Sequence, residues 1–222
     1  MACVGVGGLG ALAAGCSKTE PDESVTAVED LMREHGVLRR ALLVYEETAR
    51  RLRTGETAEE AIALEKTARL FRRFGEDYHE RALEEAYIFP ALTKADPSMS
   101  DLVDTLIRQH ERGRQVTDFM LAATEAPQFL VDRAMEAAGV LETFVLMYQN
   151  HAAREDTVVF PAWKGAVSPA ELADMGEKFE EIERKQFGED GFELAVTQVR
   201  EIEEALGLAD LSRFTPPPPP EE

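Results

Sequence analysis

Four histidines, His35, His79, His110 and His151, are the residues of this 222-residue chain best suited to chemistry. Imidazole binds iron, manganese and zinc, and a nearby carboxylate extends the same ligand set. Glu155 follows His151 by four residues. On a helix, residues four apart differ by roughly 40° in azimuth and lie about 6 Å apart between Cβ atoms, so this pair faces one site. His79 is followed by Glu84, and both glutamates are followed by the same tripeptide, Phe89-Pro90-Ala91 and Phe160-Pro161-Ala162. One interval therefore separates Glu84 from Glu155 and Phe89 from Phe160. His35 follows Glu34 and His110 follows Gln109, each in a basic, apolar-striped stretch. All the histidines thus fall at related places in a twofold repeat. With His35 and His110 brought in from other helices, each of two ions gains imidazole nitrogens, and a carboxylate from each half could bridge them. A lone helical histidine is ordinarily a surface or core residue, and Glu84 and Glu155 alone would be solvated charges. Their joint placement is what points to metal.

Composition narrows the choice of ligand. The two cysteines, Cys3 and Cys16, lie in the first sixteen residues, so the rest of the chain has neither a disulfide framework nor a thiolate metal site. A formal net charge of −19 argues against nucleic acid as a partner, because phosphate binding needs clustered Lys and Arg. The acidic surface is compatible with a raised local cation concentration.

The elements that position these residues read as helices almost throughout. Val28, Leu31, Met32, Val37, Leu38, Leu42 and Leu43 form one apolar stripe that ends near Thr54-Gly55. A second helix is expected from about Ala58 to Leu92, before Ala95-Asp96-Pro97-Ser98. A third starts near Ser100, and a fourth runs from about Phe129 through Phe160-Pro161. Ser168-Pro169-Ala170-Glu171 reads as the capped start of a fifth helix to about Phe187. Phe192 to Leu206 reads as a sixth. No β pattern competes, so the expected fold is all-α: an up-down-up-down four-helix bundle with two additional C-terminal helices. Residues 209–222 end in a proline-rich, acidic tail.

The first 16 residues carry no charge and are too short to span a bilayer. They look like the apolar region of an export signal without its basic start. Leu12-Ala13-Ala14-Gly15-Cys16 resembles a bacterial lipobox, which makes Cys16 the expected lipidation site. The expected location is outside the cytoplasmic membrane, lipid-anchored at its periplasmic face; a cytoplasmic protein with an apolar tail is the alternative. Residues 1–25 are accordingly read as signal and linker.

Glu34-His35, Asp77-Tyr78-His79-Glu80 with Phe89-Pro90, Gln109-His110-Glu111, and Tyr148-x-x-His151-x-x-Arg154-Glu155-Asp156 with Phe160-Pro161 together resemble the hemerythrin-like, or HHE cation-binding, domain. The resemblance spans roughly residues 26–165 and leaves 166–208 as a helical extension. It implies a non-haem centre of two iron ions joined by an oxo or hydroxo bridge. His35, His79, His110 and His151 would be terminal ligands, and Glu84 and Glu155 bridging carboxylates. Oxygen-carrying hemerythrins have a fifth histidine one turn from the one on the third helix. Here Leu106 and Arg114 flank His110 at that spacing. One ion is left with an open position, water, or a carboxylate such as Glu80 or Glu111, which puts simple oxygen carriage in doubt. The second departure is the His79–Glu84 spacing of five, which rotates a regular helix by roughly 140°. A one-residue π-bulge near residues 80–84 would restore the common face.

The expected function is a protein that binds or senses dioxygen, nitric oxide or peroxide, or handles iron. The rival is a di-metal oxidase or peroxidase using the open position. No general acid, nucleophile or cofactor fingerprint outside the metal set favours an elaborate enzyme. Tyr45, Tyr78, Tyr87 and Tyr148 read as core or hydrogen-bonding residues rather than radical sites.

Overall fold

Thr26 opens the first helix with a reciprocal cap: its hydroxyl accepts from the Glu29 N–H while the Glu29 carboxylate accepts from the Thr26 N–H. Helix α1 (Ala27–Thr54) ends at Gly55, whose φ of 87° suits a residue without Cβ. The computed structural model describes residues 25–55, 58–125 and 131–220. The signal-like stretch with Cys16 lies outside them. Helix α2 joins Ala58–Leu70, Phe71–Ile88 and Phe89–Ala95 without a break, and α3 is Ser100–Glu125. Helix α4 joins Ala134–Arg154, Glu155–Val159 and Phe160–Ala166. The described part of α4 thus begins past the expected Phe129. Helix α5 is Pro169–Phe187, with Ser168 and Glu171 forming the expected capping box, and α6 is Gly191–Leu206. The described residues contain no strand, so the chain is all-α. None of their helices is long and apolar enough to cross a membrane.

Helix α1 packs along α4, and α2 along α3, around one apolar core. Helix α6 lies across α1 and the start of α2, where Val44 and Ala63 meet Ile202 and Leu206. Arg40 of α1 binds Glu203 through two hydrogen bonds on this seam. Helix α5 packs on α1 and the middle of α2, with Phe179 stacked against Trp163 and Phe187 meeting Tyr78 edge to face. The two C-terminal helices therefore cover the outside of the α1–α2 pair.

The middle of α2 differs from expectation in extent. Instead of one bulged residue, i→i+5 hydrogen bonding runs from Phe71 to Ile88. A second such segment, Glu155–Val159, interrupts α4 where an ordinary helix was expected. Both end at Phe-Pro. The proline has no N–H, and its ring crowds the carbonyl four residues back, so the regular ladder cannot continue through it. The preceding phenylalanine donates five residues back instead, Phe89 N–H to the Glu84 carbonyl and Phe160 N–H to the Glu155 carbonyl. The tripeptide that marks the repeat is thus also where both helices change their winding.

Candidate metal centre

The wider winding of α2 brings residues five apart roughly into line, as an α-helix does for residues four apart. His79 and Glu84 consequently face inward together, with Nε2 and Oε1 3.5 Å apart. In α4, His151 and Glu155 share the last α-helical turn, and their Nε2 and Oε1 are 3.0 Å apart. His35 comes from α1 and His110 from α3. The six side chains converge in the core, all buried, and Glu84 and Glu155 are 0% exposed.

They form two pairs of imidazoles with two carboxylates between. The Nε2 atoms of His35 and His79 are 3.0 Å apart, as are those of His110 and His151. Two donors at about 2.1 Å from one ion and at right angles would be about 3.0 Å apart, so each pair has the spacing of neighbouring ligands. Glu84 places Oε1 near His79 and Oε2 3.4 Å from His110 Nε2. Glu155 places Oε2 3.4 Å from His35 Nε2 and Oε1 near His151. Each carboxylate spans both pairs.

Every Nδ1 has an oxygen partner. Asp156 holds His35 at 2.7 Å, Glu34 holds His79 at 2.5 Å, Glu85 holds His110 at 2.9 Å and Gln109 holds His151 at 2.9 Å. A proton on Nδ1 satisfies these bonds and leaves every Nε2 lone pair facing the centre. Each partner is the chain neighbour of a ligand candidate, and the pairing obeys the twofold repeat. Glu34 beside His35 serves His79, as Gln109 beside His110 serves His151. Asp156 beside Glu155 serves His35, as Glu85 beside Glu84 serves His110. Phe160 stacks on His35 and Phe89 on His110, at 5.3 and 5.7 Å between centroids. The only mark the orienting residues carry in the sequence is their adjacency to the inward-facing residues in both halves.

Glu111 lies away from the centre, and Glu80 borders the small space beside it but is held by other groups. Glu111 is exposed. Glu80 is buried but accepts from Tyr148 Oη at 2.5 Å and from Arg114 at 3.2 Å, on the Nδ1 side of His110. Arg114, one turn after His110, also bonds Glu85 at 2.8 Å. Tyr148 reaches Glu80 across Gly113, where an added Cβ would lie 2.2 Å from Tyr148 Oη. Gly113→Ala is therefore expected to destabilise the chain by roughly 1–3 kcal/mol despite alanine's better helix propensity. Denaturant unfolding measures that loss. Unchanged stability would show that Tyr148 moves aside freely.

The electrostatics are those of a cation site. Burial works against charge on His110, yet Glu80, Glu85, Glu84 and Glu155 raise its pKa to about 9. His35 and His79 are also raised: burial opposes this, but Asp156 and Glu155 outweigh it for His35, and Glu84 and Glu34 for His79. Burial and the charge of Glu155 push Glu84 upward. Glu155 is held well below the ordinary range, because His151 and His35 overcome its burial. With the ring protons on Nδ1, none of the four carboxylate oxygens of Glu84 and Glu155 has a hydrogen-bond partner. Buried carboxylate oxygens without partners are costly unless a cation balances them. The donor set and these orphaned oxygens together fit metal.

The hemerythrin HHE cation binding domain family matches residues 26–163 of the chain. Uncharacterized proteins of Mycobacterium bovis and of two Mycobacterium tuberculosis strains are each 48% identical to it over 198 residues, covering 89% of this chain and 76% of their own. No solved structure matches it.

Proposed function

This chain belongs to the hemerythrin HHE cation-binding family, and from that premise we propose that it holds two iron ions and binds or senses dioxygen, nitric oxide or peroxide. The up-down-up-down arrangement of α1 to α4 belongs to the same reading. The observation that carries it is the set of four partnerless carboxylate oxygens, two from each half of the repeat, facing four imidazole Nε2 atoms. His35 and His79 would hold one ion, His110 and His151 the other, and Glu84 and Glu155 would bridge them. Iron there supplies reversible binding of, or electron transfer to, small oxidants.

The protein's own groups supply the rest. Asp156, Glu34, Glu85 and Gln109 fix the tautomer and angle of the four rings. Phe89 and Phe160 cover two of them and exclude water. Beside the cluster, Leu38, Leu42, Glu80, Tyr148 and Ala152 line a space of about 10 Å³, the lower limit for one water molecule.

Iron handling, or a di-metal oxidase or peroxidase, is the second reading, favoured by the lack of a fifth histidine one turn from His110, which leaves one ion short of a ligand. Metal analysis and optical spectra of anaerobically reduced protein, before and after oxygen and azide, test the proposal. Two irons per chain and charge-transfer bands on oxidation are expected, with reversibility marking carriage and turnover marking an oxidase. One metal or none would overturn the di-iron reading. We also propose lipidation at Cys16 and anchoring at the periplasmic face, which the lipobox-like residues support. An unmodified Cys16 in membrane-fraction mass spectrometry would refute it.

A further inference from the structure

We propose that the two metal positions are inequivalent, the His35–His79 position holding its cation more tightly than the His110–His151 position because Glu34 backs the first and Gln109 the second. The inference rests on the di-metal reading above. Glu34 and Gln109 occupy equivalent places in the repeat, and each accepts from the Nδ1 of the histidine on the next helix, at 2.5 Å to His79 and 2.9 Å to His151. A carboxylate behind a ligand imidazole makes Nε2 a stronger donor and offsets the ion's charge; a neutral amide orients the ring but does much less of either.

The surrounding charges act in the same direction. Formal charge is equal on the two sides: Glu34 and Asp156 with Arg39, against Glu85 and Glu80 with Arg114. Their placement is not equal. Both anions of the first side bond directly to ligand-candidate imidazoles, whereas Glu80 stands 4.0 Å from His110 Nδ1 and is taken up by Arg114 and Tyr148. The Arg39 side chain that pairs with Asp156 is 42% exposed, so water screens its charge. The Arg114 side chain is 13% exposed and bridges Glu80 and Glu85 beside the second position, where a cation is repelled with little screening.

Separate binding steps alone would not test this, since two cations sharing carboxylates repel one another even at identical positions. The discriminating measurement is occupancy. Crystals of the full chain grown with one equivalent of zinc are expected to show anomalous density at the His35–His79 position in roughly tenfold excess, the scale of a lost orienting partner. Gln109→Glu is expected to move that ratio toward one, and Glu34→Gln to lower or reverse it. Equal occupancy in the unaltered chain, or a ratio that neither substitution changes, would overturn the inference. Saturation at two equivalents in solution keeps the di-metal reading intact whichever way the ratio falls, whereas saturation at one would remove that reading itself.

Discussion

Glu155→Ala is expected to reduce metal loading from two ions per chain to at most one. Glu155 is the one ligand candidate whose oxygens lie within 4 Å of the Nε2 atoms of three histidines: His35 at 3.4 Å, His151 at 3.0 Å and His110 at 3.9 Å. Its removal takes a donor from both positions at once and leaves Glu84 alone between two like charges. The affinity of what still binds should fall by more than the roughly 10–100-fold that loss of an orienting partner costs. Gln at the same place keeps the shape and one acceptor but not the charge, so Glu155→Gln should lie between the alanine variant and the unaltered chain. Metal analysis after gel filtration, with chelator competition, reads both effects. Two tightly held ions in the alanine variant would show that Glu155 is not a bridging residue.

Metal removal should have the other large effect, and its size should depend on pH. Without a cation, the raised pKa of His110, about 9, means that protons occupy part of the site at neutral pH. Metal must displace them, so loading at pH 7 should release protons and apparent affinity should rise as pH approaches 9. Calorimetry in buffers of different ionisation enthalpy measures the release. For the metal-free chain the sign is opposite. A histidine whose folded pKa lies above its unfolded value near 6.5 contributes stability that is complete below pH 6.5 and lost as pH passes through about 9. The metal-free Tm is therefore expected to fall across that window while the loaded Tm does not. At free metal near 1,000 times Kd, binding adds about 4 kcal/mol, which for a domain of this size is roughly 8–16 °C in Tm. A Tm indifferent to chelator would contradict the account.

Much of the site could be read from residue spacing because the repeat places the same residue types twice. His151 with Glu155 needs only the geometry of an α-helix. His79 with Glu84, five apart, requires a winding defect, and the spacing alone was enough to demand one. Its length was not legible: i→i+5 bonding over Phe71–Ile88 depends on how α2 packs as well as on Pro90. The segment in α4 was missed because His151 and Glu155 face the same way without it. Only Pro161, matching Pro90, hinted that the ladder must change there.

Glu80 shows what spacing leaves open. One turn before Glu84, it looks like an alternative ligand, yet Tyr148 and Arg114, distant in sequence, reach it first. The roles of Glu34, Glu85, Gln109 and Asp156 were hidden for a related reason. Each acts on a histidine carried by a different helix, so nothing within a single helix reveals the pairing.

The histidines, glutamates and their periodicity by themselves determined that the chain is helical and that its candidate metal ligands come in two related halves, because helix azimuth is a property of local spacing. Which imidazoles pair, which carboxylate spans them and which neighbour orients each ring were decided only when four helices met. Those relations depend on how far apart the helices lie and on their rotation against one another, and these follow from packing across the core. The asymmetry foreseen from a missing fifth histidine is accordingly joined by one that packing revealed: Glu34 behind His79, Gln109 behind His151.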